Sequence, residues 1–276
     1  MGARKPPKSG LEEATPNLRT ALWNRLHYEL FPGGGNWEEY CQRNAALIWE
    51  HLNLRVDDAP SYAVGLRDEL AEQWEIIDWP EFFDLLEFVA KLVADDPETE
   101  SRVAFFADLN EILEAQGCAY RFIAEELAPV TNPVEVAEVA AAAECAIPSA
   151  AAHIREALRL LPPNANASPR NSIKESISAV EAALKSLAAN PSATLTDGLT
   201  AFERKYGALH PALRQGLIRL YGYTSDENGV RHALVDEAAN VTVSDARFML
   251  VACSAFTNYL VSLSTENGVS GAATPR

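Results

Sequence analysis

The chain has 276 residues, 48% of them apolar, and a formal net charge of −16. That size and apolar share supply one large core or two modest ones without disulfide or metal staples, and the acidity excludes broad nonspecific nucleic-acid binding by the whole chain. The charge is uneven: residues 68–144 hold 20 acidic and 3 basic side chains, whereas 145–235 hold 7 acidic and 10 basic. An acidic N-terminal part suited to solvent or a protein partner therefore sits before a C-terminal part able to meet a phosphate backbone.

The opening MGARKPPKSG leads into no apolar signal-peptide core, and uninterrupted apolar runs fall well short of the roughly 20 residues that cross a bilayer. The expectation is a cytoplasmic chain that engages no membrane. Pro6 stands where a myristoylation signal after Gly2 needs Ser or Thr. Cys41, Cys118, Cys145 and Cys253 lie far apart with no paired spacing and read as free thiols. The five histidines are equally scattered, so no metal site and no cofactor is expected.

In chain order, a disordered tail over 1–16 precedes an amphipathic helix marked by Leu18, Leu22, Leu26 and Leu30, which stops at Pro32-Gly33-Gly34-Gly35. Trp37, Tyr40, Cys41, Leu47, Ile48 and Leu52 mark a second helix. Asp78-Trp79-Pro80 starts a third, whose face holds Phe82, Phe83, Leu86, Val89 and Val93. Asp96-Pro97-Glu98 opens a fourth, with Val103, Phe106, Leu109 and Leu113, capped by Gly117. The runs 120–123 and 127–130 then form a small β-hairpin, for which Glu125-Glu126 is poor turn chemistry. The tryptophans at 23, 37, 49, 74 and 79 belong to the N-terminal core.

Thr131-Asn132-Pro133 starts an Ala-rich helix to about Cys145, and Ile147-Pro148-Ser149 another to about Leu161; their small faces suit close helix packing. The Pro- and Asn-rich stretch 162–169 reads as a linker. Helices follow over 170–189, 195–206, 211–221 and 244–264, with a turn-rich insert from Gly222 to Val230. The fold class is thus mainly α, in two helical domains: 17–161, with the hairpin near 118–130, and 170–265, followed by a second disordered tail over 266–276.

Three stretches resemble one bacterial family: Leu18-Arg19-Thr20-Ala21-Leu22-Trp23-Asn24, Tyr120-Arg121-Phe122-Ile123, and a C-terminal third carrying Asn171 to Ala182, Leu220 to Asp226 and Gly229 to Leu234. They are similar to abortive-infection proteins of the AbiJ type, and the resemblance implies phage defence. It also implies a C-terminal bundle similar to the HEPN superfamily, many of whose members are metal-independent ribonucleases acting as homodimers. HEPN nucleases place an Arg before a His with four to six residues between them. Counted back from His232, the eligible positions are Ser225, Asp226 and Glu227, so that spacing is missing there. Arg204 and His210 satisfy it, but chance alone supplies about one such pair in a chain of this composition.

Metal-free RNA cleavage needs a base for the ribose 2′-OH, a cation for the phosphate and an acid for the leaving oxygen. Arg231 is the candidate phosphate clamp and His232 the candidate proton carrier. Lys174, Ser178, Tyr223, Thr224, Asp226 and Asn228 are candidate substrate contacts, the tyrosine by stacking a base. Lys174, Glu175, Ser178 and Glu181 fall at helical spacings that line one face. The competing reading is structural: Arg231 pairs with Asp226 or Glu181, and His232 packs under the final helix. In that case the C-terminal bundle dimerises or binds RNA or protein without catalysis.

Overall fold

A computed structural model describes residues 13–31, 37–54, 56–96, 101–161, 167–225 and 241–270. Among these, the chain forms eleven α-helices and one two-stranded hairpin, in line with a mainly α protein. It divides into two compact units, at Pro129/Val130.

The first unit contains α1 (Pro16–Leu30), α2 (Trp37–His51), α3 (Ala63–Ile76), α4 (Trp79–Ala94), α5 (Arg102–Ala115), β1 (Arg121–Ile123) and β2 (Glu126–Ala128). Leu18, Leu22, Leu26 and Leu30 are all buried, as a four-residue recurrence on one helical face requires. They meet an aromatic core in which Trp74 packs edge-on against Phe82 at 4.8 Å and Phe83 lies 4.7 Å from Tyr120. Arg19 is buried among them and spends its guanidinium on main chain: Nε donates to Ala14 O at 3.1 Å, Nη2 to Ile77 O at 2.8 Å and Nη1 to Trp74 O. Trp74 Nε1 returns a bond to Arg19 O at 2.9 Å. One side chain thereby fastens α1 to the C-terminal end of α3.

The hairpin has the register Arg121↔Ala128, Phe122↔Leu127, Ile123↔Glu126. Its two-residue turn is Ala124-Glu125, both left-handed at φ 48° and 71°, the backbone of the primed turn that suits strand twist. Arg102 holds Glu125 with an Nε–Oε1 bond of 2.9 Å. Asn110 of α5 treats β1 as a third strand would: its Nδ2 donates to Phe122 O at 2.9 Å and its Oδ1 accepts from Phe122 N at 2.7 Å. Asn110→Ala leaves both partners in a part-buried site unbonded, so the first unit should lose about 2 kcal/mol in chemical denaturation. A loss below about 0.5 kcal/mol would mean that water replaces the amide.

The second unit contains α6 (Pro133–Ala143), α7 (Pro148–Arg159), α8 (Pro169–Leu187), α9 (Leu195–Tyr206), α10 (Pro211–Ser225) and α11 (Val243–Ser270). Asn132, Ser168 and Thr194 cap their helices through side-chain oxygens, the role these residue types favour. The expected Ala faces are real: Ala142, Ala143, Ala150, Ala157, Ala179 and Ala183 are fully buried. Small side chains let α8 pack along both α7 and α11. Gly198 of α9 continues this close approach, since a Cβ there would stand 3.0 Å from Leu184 Cβ. Arg247 of α11 pairs with Glu135 of α6 at 2.7 Å, and Asn258 Nδ2 donates to Glu138 O at 2.9 Å.

The division at Pro129/Val130 departs from the sequence expectation of a linker over 162–169. The reason is packing: α6 and α7 bury their small faces against α8 and α11, which ties them to the second unit. The final helix also runs to Ser270, past the tail expected from 266. Contrary to the expectation from apolar runs, Val243–Asn267 is long and apolar enough to cross a bilayer. It packs on α6 and α8 within its unit, with Met249, Leu250, Cys253 and Leu260 buried.

Candidate functional site

Within the second unit, α7 and α8 enclose a groove of about 410 Å³. Two bonds fix the helices as antiparallel neighbours: His153 Nδ1 lies 2.6 Å from Glu175 Oε2, and Ser172 Oγ donates to Ala157 O at 2.7 Å. Helical spacing sets the walls. Ser149 and His153, four apart on α7, face Ser178, Glu181 and Lys185, which follow each other by three and four on α8, while Ser186 and Pro191 close one end.

Polar groups here divide by task. The buried hydroxyls of Ser172 and Ser176 are spent on main-chain carbonyls, at 2.7 and 2.8 Å. Among the described residues, the side chains of Ser149, Ser178, Lys185 and Ser186 make no hydrogen bond or ion pair, although all four line the groove. With the Nδ1 proton committed to the Glu175 carboxylate, His153 is held in one ring orientation and keeps Nε2 for the groove. Such a site can bind an anion at the ammonium and accept a hydrogen bond at the imidazole. Among the described residues no cluster of three metal-ligating side chains occurs.

A second polar cluster lies in the first unit. Lys91 Nζ of α4 bonds Glu87 Oε1 at 2.7 Å and Glu126 Oε2 of β2 at 2.8 Å, while Leu127 N donates to Glu87 Oε2 at 3.2 Å. Burial, seconded by the neighbouring Glu126 carboxyl, pushes the Glu87 carboxyl up to about 7 despite the opposing pull of Lys91. One lysine thus clasps the hairpin to α4 through two carboxylates.

The sequence-predicted residues meet different fates. Ser178 lines the groove, as does Glu181, and Glu175 pairs with His153. Lys174 is half-buried on α8 and is not part of the lining. Tyr223 is exposed, but Thr224 is buried with its hydroxyl turned back onto Tyr221 O at 2.8 Å. Asp226, Asn228, Arg231 and His232 lie outside the described residues. Arg204 is exposed, and exposed His210 accepts from Ala212 N at 3.2 Å at the start of α10. His153 escaped the sequence reading because its carboxylate partner lies 22 residues away; the available signal was its place on α7 beside the buried residues Ala150, Ile154 and Ala157.

The family model described as AbiJ N-terminal domain 4 matches residues 1–144. The chain belongs to that family. Its membership places the protein among abortive-infection, phage-defence proteins. No curated protein and no solved structure matches the chain at a significant level. The AbiJ N-terminal region spans the whole first unit, including the Arg19 and Lys91 clasps, and also takes in α6 of the second. The α7–α8 groove lies beyond it.

Proposed function

We propose that the protein is a cytoplasmic phage-defence effector in which the acidic AbiJ-type unit docks or senses a partner and the second, HEPN-like helical unit cleaves RNA without metal as a homodimer. The observation that carries this reading is the AbiJ match over 1–144 in a chain that continues into a separate helical unit. The more basic balance of 145–235 supports a phosphate-bearing target.

In this reading Arg231 holds the scissile phosphate and His232 takes the 2′-OH proton. The 2′ oxygen then bonds phosphorus, the 5′ oxygen leaves with a proton, and a 2′,3′-cyclic phosphate remains. The test is cleavage of total bacterial RNA in EDTA, with and without lysate from phage-infected cells, comparing wild type with Arg231→Ala and His232→Ala at matched oligomeric state. Each substitution should lower cleavage at least about 100-fold. Intact RNA in every sample would discard catalysis.

A second reading, a non-catalytic module that dimerises or binds RNA or protein, draws on the surface of α10 and α11, where Tyr223 and Phe248 are 47% and 61% exposed. Aromatic residues are enriched at protein interfaces, which is what this reading draws on.

A further inference from the structure

The α7–α8 groove combines features that neither bundle packing nor the proposed Arg231–His232 chemistry uses. A half-buried lysine without a carboxylate partner among the described residues stands at one end, an imidazole held by a carboxylate at the other, and a second carboxylate between them. Because α7 and α8 are antiparallel, His153 lies level with Glu175, Ser178 follows it along α8, and Lys185 stands about 10 Å beyond Ser178, seven residues at the helical rise. A ligand filling this length must be anionic at one end and must hydrogen-bond along its body and at the other end.

We infer that the groove binds a mononucleotide, with its phosphate on Lys185 and Ser186, its ribose hydroxyls on Glu181 and its base edge on His153 and Ser178. Each part answers a lining group. The ammonium is a point charge for a phosphate, and the hydroxyl of Ser186 adds a donor. A carboxylate has several acceptor positions and bonds vicinal hydroxyls while keeping a protein partner. The imidazole Nε2 accepts and the Ser178 hydroxyl donates or accepts, so they engage a base edge without selecting one base. At about 410 Å³ the groove is in the range of small-molecule sites. Free phosphate spans only the lysine end, and a nucleoside lacks the anion.

Isothermal titration of the full chain with AMP, adenosine and ribose 5-phosphate tests the assignment. AMP should bind, with adenosine and ribose 5-phosphate each at least about tenfold weaker, because each forfeits one end of the groove. Lys185→Ala should weaken AMP at least about tenfold and leave adenosine unchanged, Lys185→Arg should restore most of the affinity, and His153→Ala should weaken AMP and adenosine alike. Lys185 and His153 are only part-buried, and unaltered thermal unfolding of the variants confirms that they fold. AMP that binds no tighter than adenosine, binds Lys185→Ala as well as wild type, or gives no heat at millimolar concentration overturns the inference. His232→Ala should bind AMP as wild type does, so failure of the RNA-cleavage reading leaves this result intact.

Discussion

Replacing Arg19 with Ala should destabilise the first unit by about 3 kcal/mol or more, the largest effect expected of any single polar substitution there. The side chain is 7% exposed and bonds three carbonyls, of Ala14, Trp74 and Ile77, while its guanidinium carbon lies 4.3 Å from the centre of the Phe82 ring. Alanine removes the donors and leaves the Trp74 and Ile77 carbonyls at the end of α3 without their partner, besides forfeiting the cation–π contact. Burial lowers the Arg19 pKa from its ordinary value, with Glu75 and Asp78 pulling it back up; the group stays charged, so the bonds are charge-assisted. Arg19→Lys should recover less than half of the loss, since one ammonium cannot reach carbonyls arranged around a planar fork. All five tryptophans lie at positions 23 to 79, so tryptophan emission follows the first unit alone during urea unfolding. A loss under about 1 kcal/mol for Arg19→Ala would show that the three carbonyls find other donors.

The second large effect is a pH dependence of the same unit. Glu87 titrates at about 7 in the folded chain against an ordinary 4.5, so the folded state binds this proton more tightly than the unfolded one. Its contribution is therefore complete below about pH 4.5 and is lost as the pH rises through about 7. Between pH 5 and 8 the first unit should lose stability on the order of 1–3 kcal/mol from this group. Glu87→Gln, which keeps an acceptor for Leu127 N and Lys91 but cannot ionise, should flatten the profile and equal or exceed wild type at pH 8. Equal slopes for the two proteins across that window would remove Glu87 as the cause.

Much of the helical layout was legible because its signals are local. Asn132-Pro133 and Ile147-Pro148 each place a helix start where a capping or extended residue precedes a proline at the first helical position. The leucine ladder of α1 needs only a four-residue recurrence. α3 was missed although Leu66, Leu70 and Trp74 recur on one face, because Tyr62 provides no side-chain cap and Gly65 interrupts the pattern. The hairpin was found, but its turn was placed one residue late: Ala124 and Glu125 adopt left-handed backbone that neither residue favours, with Arg102 holding Glu125.

What the sequence could not show depends on helices meeting. Helical spacing sets Glu175 on one face with Lys174, Ser178 and Glu181, yet α7 brings His153 to it. Ser178 and Thr224 were equally plausible ligand contacts on residue type; packing puts one on a groove and buries the other. The stretches that resemble AbiJ proteins lie along both halves of the chain, whereas the family match lies over 1–144.

The place of α6 has a practical meaning for anyone cutting the molecule in two. A fragment ending at Glu144, where the family match stops, would strand α6 with Val139, Ala142 and Ala143 stripped of their cover, and would deprive Arg247 and Asn258 of α11 of their partners Glu135 and Glu138. A cut at Pro129 leaves each hydrophobic interior whole. The boundary of inheritance and the boundary of cohesion are fifteen residues apart, so a swap of AbiJ-type front ends between proteins must carry a matching α11 surface along with it.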